Sequence, residues 1–348
     1  ESAFPPPVGL AARSTARFDR ANFMNPSLPL VAIVCPVEFK FSDPEALLEK
    51  QILAGVAEVR TVRIGLNAPF PDEVLTADAI ILWHGPRVDA AVIHRLRQCR
   101  VIIRNGVGFD TVDTAAAAQR GIPVCNVPDY GTEEVADHAL ALALALCRQL
   151  FPLDAEAKQL GWKIQVAARM RRLRTLQFGV VGLGRIGTAA ALRARAFGFR
   201  VVFFDPHVPT GTHKAIGVER AATLDELLRE SDVVSIHCPL TAETRGLIGE
   251  RELALMKPSG YLINTARGDI VQKAPLFAAL RAARLAGAGL DVVENEPLRT
   301  AEEAATPNLI VTCHAAFCSP EGMEEMRSTS ASIARAALQG QPVWNRVN

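Results

Sequence analysis

The run Gly182-Leu-Gly184-Arg185-Ile186-Gly187 constrains this chain more than any other. It follows the apolar stretch Phe178–Val181 without a gap and opens an Ala- and Leu-rich stretch, Thr188–Phe197. Strand, glycine turn and helix in that order make a dinucleotide cradle, because each glycine has a separate task. Gly182 permits the tight turn, Gly184 lets the backbone approach a pyrophosphate, and Gly187 allows helix and strand to pack closely. Arg185 and Ile186 lie in the same cradle, and the helix N-terminus favours negative charge. Alone, the motif also describes a glycine-rich turn. Asp205 favours the cradle: it stands 18 positions after Gly187, at the end of the strand-like Arg200–Phe204. A carboxylate there hydrogen-bonds the adenosine ribose and repels a 2′-phosphate, so the expected cofactor is NAD(H) rather than NADP(H).

The rest of the chain repeats the same alternation. Short β-branched runs, Val31–Val34, Glu58–Val62, Ala79–Leu82, Val101–Ile103 and Val124–Val127, are separated by helical patterns at Asp43–Gly55 and Asp89–Cys99. A longer helix is expected over Thr132–Leu150. A second series follows: Phe178–Val181, Arg200–Phe204, Val233–Ile236, Tyr261–Ile263, Gly287–Leu290 and Leu309–Val311. Buried strands alternating with helices predict an α/β fold of two doubly wound parallel sheets, and 348 residues suit about two domains. Pro152 and the basic stretch Arg169–Arg174 mark the boundary. Those arginines read as a solvated helix face rather than a phosphate patch.

Lys plus Arg (38) almost cancel Asp plus Glu (37), which removes the long-range field that nucleic acids or anionic membranes require. Seven unpaired-looking cysteines, most within apolar runs, fit a reducing cytoplasm. Residues 1–29 carry no apolar signal core and read as an arm or an appended remnant, with Met24 a candidate start. The most apolar run, Ala139–Cys147, is far shorter than a membrane span.

A hydride carrier still needs a protein acid/base and a group that holds an anionic substrate. Arg267, in Asn264-Thr-Ala-Arg-Gly268, follows a strand, so its fork of donors reaches the sheet edge where ligands bind. A surface salt bridge is the alternative use. Glu296 and His314 each follow another strand of the second series, and a carboxylate beside an imidazole favours the proton-bearing ring. His314 could equally be structural. His94, His138, His207 and His213 sit in helical or loop surroundings with no partner motif. No zinc-type spacing links histidines to cysteines or carboxylates, so no metal is expected.

In sequence order, Arg104-Asn-Gly-Val-Gly-Phe-Asp110, Gly121–Pro128, Glu133–Asp137, Val181–Gly187, Asn264–Gly268, Gly289-Leu-Asp291, Glu296-Pro297 and His314-Ala315 are similar to the D-isomer-specific 2-hydroxyacid dehydrogenase family. The resemblance covers nearly all of Leu30–Asn348. Within the family it is strongest to the C-terminal-binding-protein branch, which holds NAD(H)-sensing corepressors as well as dehydrogenase-like members. The resemblance implies a Rossmann NAD-binding domain, residues 130–315, inserted into a flavodoxin-like substrate domain, residues 30–129 plus 316–348. It implies that Arg267 binds the substrate carboxylate and carbonyl, that His314 moves the proton, and that Glu296 is its partner. Asp291 would hold the nicotinamide carboxamide, helped by Thr265 and Ala266, while His237, Pro239 and Thr244 would border the cofactor. Arg104 and the backbone of Val107 and Gly108 would meet the substrate. Glu296 stands where the formate dehydrogenase branch usually carries glutamine.

Three positions depart from the pattern. Phe317 stands where a tryptophan packs on substrate, Cys313 replaces a proline before the histidine, and Trp83-His84 lies on the substrate side. Trp83 could contact substrate or fill the core. The resemblance implies a homodimer through the nucleotide domain and two functions: reversible hydride transfer between NAD(H) and a 2-keto or 2-hydroxy acid, or an NAD(H)-sensing scaffold with little turnover.

Overall fold

The β-branched runs become the strands of two wholly parallel sheets in the computed structural model, which describes residues 28–37, 45–65 and 67–348. The first sheet contains β1 (Leu30–Pro36), β2 (Glu58–Ile64), β3 (Ala79–Leu82), β4 (Val101–Arg104) and β5 (Val124–Asn126), in the order β2-β1-β3-β4-β5. The second contains β6 (Gln177–Val181), β7 (Arg200–Phe204), β8 (Glu219–Arg220), β9 (Val233–Ile236), β10 (Tyr261–Asn264), β11 (Gly287–Leu290) and β12 (Leu309–Val311), in the order β12-β11-β10-β9-β6-β7-β8. The strand order reverses between β1 and β3 and between β6 and β9, and such switch points open a crevice at the carboxyl ends.

Both sheets are covered on both faces, which is why most of their strands read as continuous apolar runs, whereas the edge strand β2 mixes exposed polar with buried apolar residues. Val31, Ile33 and Cys35 pack against the C-terminal helix Pro320–Leu338 through Met326, Ile333 and Ala334. Ala32 and Val34 face the opposite layer, with Ile93, Leu96 and Ala117. In the second sheet Phe178 and Val180 pack under the helix Thr132–Cys147, and Val181, Val234 and Ile236 face Leu227 and Leu276. The chain's end therefore returns to the first sheet. Asn348 Oδ1 accepts from the Val124 amide at 2.9 Å, and Arg327 pairs with the buried Glu49 at 2.5 Å.

Several expectations shift. The helix expected over Thr132–Leu150 ends at Cys147; Gln149 has φ 52°, and a separate helix, Leu150–Lys158, begins there. Arg169–Arg174 is not a helix face. It lies among the short 3-10 turns Ile164–Ala167 and Leu173–Thr175, with Arg171 paired to Asp232 at 3.0 Å. The helix expected from Asp43 spans Leu47–Ile52; Asp43 and Pro44 lie outside the described residues, as does the N-terminal arm through residue 27. All seven cysteines are free, but Cys313 and Cys318 are exposed rather than buried like Cys35, Cys125 and Cys147. Among the described residues no helix is long and apolar enough to cross a membrane.

Candidate active site

Most of the candidate residues stand at or just beyond the carboxyl end of a strand. His84 follows β3 and Arg104 ends β4, while Gly182, Asp205, His237, Arg267, Asp291 and His314 follow β6, β7, β9, β10, β11 and β12. The two edges meet across one cleft. The Arg267 Nε donates to Asp110 Oδ1 at 3.0 Å, and the His84 and His314 rings lie 4.6 Å apart.

His314 and Glu296 are joined as a pair: Nδ1 of the imidazole lies 3.0 Å from Glu296 Oε2. The other ring nitrogen is left for the cleft, the arrangement a proton-transferring histidine needs. His314 has φ 54°, left-handed backbone that costs a non-glycine residue about 1–3 kcal/mol. Asp291 holds it there. Its carbonyl accepts from the His314 amide at 2.8 Å, and its carboxylate accepts from the amides of Ala315 and Ala316 and from the Thr312 hydroxyl. Asp291 is 2% exposed, so this buried carboxylate shapes the turn that carries the histidine.

Arg267 lies against Gly108, where any Cβ would overlap its guanidinium. Asn264 fixes the loop, accepting from the Ala266 amide at 3.0 Å and donating to the Arg267 carbonyl at 2.9 Å. Burial pushes the Asp110 carboxyl up, but the Arg267 charge and hydrogen bond outweigh it and hold the pKa below the usual range. Arg104 is 6% exposed, donates to the Asn105 carbonyl and has an unpartnered Nε. Burial first, then the Arg267 charge, lowers its pKa to about 10. His84 opens onto the cleft yet is pushed down to about 4, by desolvation first and then by His314, Arg104 and Arg267. Phe317 stands edge-on to His314 and Tyr130, with centroids 6.3 and 6.1 Å away. Val107 is tied to the same wall, its carbonyl accepting from Asn126 Nδ2 at 2.7 Å.

The glycine run fits a dinucleotide. Gly182 has φ 91°, and a Cβ there would sit 2.7 Å from the Cys238 amide nitrogen; one on Gly187 would overlap the Gly182 carbonyl oxygen. At Gly184 nothing lies within 4 Å of a Cβ position, which leaves room for a ligand at the uncapped N-terminus of the helix Arg185–Ala196. Ile186 lies in its first turn, and Arg185 reaches across to Asp129 at 2.5 Å. Asp205 Oδ2 accepts from the Leu183 amide at 2.8 Å, which aims the carboxylate at the cradle. His237 Nε2 is 2.8 Å from Ser235 Oγ, while Nδ1 is buried without a partner; burial pushes its pKa down to about 4. Thr244 Oγ1 donates to the Pro239 carbonyl at 2.6 Å, and the buried Thr265 Oγ1 is an unused donor beside Ala266.

The structure parts the Trp83-His84 pair. Trp83 is 4% exposed within the core of the first sheet, so packing accounts for it and His84 alone faces the cleft. Sequence reasoning passed over Asp110, inside a quoted motif, and set aside His138. That ring lies 2.9 Å from Thr312 Oγ1 and 3.8 Å from Asp291 Oδ1, a partnership that no sequence spacing reveals.

Residues 140–316 match the family model of the D-isomer specific 2-hydroxyacid dehydrogenase, NAD binding domain. The chain is 33% identical to C-terminal-binding protein 1 of Caenorhabditis elegans over 92% of its length and 45% of that protein. It is 32% identical to D-3-phosphoglycerate dehydrogenase of Methanocaldococcus jannaschii over 86% of its length and 57% of that protein. It thus spans about half the length of these curated relatives. A crystal structure of D-lactate dehydrogenase from Aquifex aeolicus with NAD and lactic acid superposes with a TM-score of 0.79 at 30% identity, covering 89% of this chain and 96% of that one. With the glycine cradle, the carboxylate-held histidine and the cleft arginine in place, these matches show that the chain belongs to the D-isomer-specific 2-hydroxyacid dehydrogenase family.

Proposed function

We propose that this protein is an NAD-dependent D-2-hydroxyacid dehydrogenase that interconverts a small 2-keto acid and its D-2-hydroxy acid. The observation that carries the reading is the His314–Glu296 pair at 3.0 Å, opposite Arg267 and beside the dinucleotide cradle. NAD(H) supplies or accepts the hydride. In the reducing direction His314 donates a proton to the developing alkoxide, and Glu296 stabilises the ring while it carries that proton. Arg267, with the backbone of Val107 and Gly108, holds the carboxylate and polarises the carbonyl. Reversal makes His314 the base.

The domain division that fits this chemistry is residues 130–315 for the cofactor and residues 30–129 plus 316–348 for substrate. A homodimer is supported by the apolar side chains that the segment after the helix Thr132–Cys147 leaves exposed: Leu150, Phe151, Leu160, Trp162 and Ile164. Seven free cysteines are consistent with a reducing, cytoplasmic setting.

The similarity to C-terminal-binding protein 1 supports a second reading, an NAD(H)-sensing scaffold with little turnover. NADH oxidation across a panel of 2-keto acids separates the two. Turnover that falls roughly 10²–10⁴-fold in both His314→Ala and Arg267→Ala supports the enzyme. Tight NADH binding with no oxidation of any acid refutes it.

A further inference from the structure

We propose that His84, Glu296 and His314 form a binding site for a borderline-soft divalent ion of the Zn²⁺ class, and that its occupancy stops turnover. One ligand atom from each residue lies within 4.8 Å of the other two. Four-coordinate zinc with nitrogen and oxygen ligands sets neighbouring donors about 3.4 Å apart, so side-chain adjustments that shorten any of these separations by at most about 1.4 Å close the set. Two imidazoles and one carboxylate are the donor types this metal class selects, and three protein ligands leave an open position.

The cluster is open to arrivals. His84 and Glu296 are exposed to the cleft, and among the described residues the His84 ring contacts His314 without hydrogen-bonding to any neighbour. Its nitrogens are therefore uncommitted. Glu296 and His314 already share a proton position at 3.0 Å, which a cation can take. Two guanidiniums oppose it. Asp110 neutralises Arg267, but Arg104 has no such partner, so the site binds reversibly rather than as a structural centre.

A cation between Nδ1 and Glu296 takes the proton that joins them, and the metal-bound ring then gives up its Nε2 proton only by becoming imidazolate, so His314 no longer cycles a proton. This consequence, unlike metal binding itself, rests on the dehydrogenase reading.

Co²⁺ titration of the full chain, read by visible absorption, tests the site without reference to turnover. One equivalent is expected to give tetrahedral or five-coordinate bands that Zn²⁺ displaces. His84→Phe and His84→Gln are both expected to weaken binding at least tenfold, and both leave Cys313 and Cys318 in place. No band at about 1 mM Co²⁺, undiminished binding in both variants, or the near-ultraviolet charge-transfer band of a thiolate ligand would overturn the site. In a parallel arm, Zn²⁺ is expected to inhibit keto-acid reduction reversibly on chelation, and to inhibit the His84 variants at least tenfold less. Binding in the first arm with unchanged turnover refutes the inhibition. Binding with no turnover of any acid refutes the dehydrogenase reading and leaves the site standing.

Discussion

Asp291→Asn isolates what holds the turn that carries His314. In the native carboxylate Oδ1 accepts from the Ala315 amide at 2.9 Å and the Thr312 hydroxyl at 2.5 Å, and Oδ2 accepts from the Ala316 amide at 2.9 Å. An asparagine presents one acceptor and one donor, so either its amide faces the Ala316 N–H or, flipped, it loses the other two bonds. At least one bond to a charged group disappears and leaves a buried N–H unsatisfied, a loss of about 1.5–3 kcal/mol. With a urea slope of about 2 kcal/mol/M this moves the midpoint of the transition that reports on β6–β12 by about 0.7 M or more at unchanged slope. Turnover falls as well, because His314 keeps φ 54° only while Asp291 grips both sides of it. A midpoint shift below about 0.3 M would refute the argument that this carboxylate shapes the turn.

Gly187→Ala drives a Cβ into the Gly182 carbonyl, a backbone atom that cannot step aside; NADH fluorescence titration is expected to show binding lost, and native-like affinity would contradict the cradle. His237, with a pKa near 4 in the fold against about 6.5 unfolded, makes the unfolded chain bind the extra proton between those values. Stability is therefore expected to fall from pH 6.5 to pH 4 by at most about 3 kcal/mol from this ring, and His237→Gln is expected to flatten that slope in denaturation curves. Trp162 is 89% exposed, so Trp162→Asp is expected to halve the mass seen by light scattering; an unchanged mass removes the proposed dimer contact.

Most strands were legible because they read as short apolar runs, as strands buried on both faces do; Ala79–Leu82 and Val233–Ile236 match to the residue, and so does the partly buried edge strand Leu309–Val311. Elements without that signature were not. β8 is two polar residues, Glu219 and Arg220, paired on one side only, and the break at Gln149 depends on local backbone conformation rather than hydrophobic pattern. Arg267, Glu296 and His314 were reachable as strand-end residues, whereas their pairing was not, since 18 residues separate the histidine from its carboxylate and 157 separate Arg267 from Asp110.

From sequence alone came the parallel α/β class, the dinucleotide cradle and, from Asp205, the expectation of an unphosphorylated ribose. Those features are local: a glycine's freedom, a strand's apolar run and an acidic residue at its end are written within about thirty neighbouring residues. Only tertiary structure decided that Trp83 is core and His84 is cleft, that Asp291 and Thr312 brace the histidine, and that His84, Glu296 and His314 converge. These follow from two sheets turning their carboxyl edges toward one another, and chain separation carries no trace of that approach.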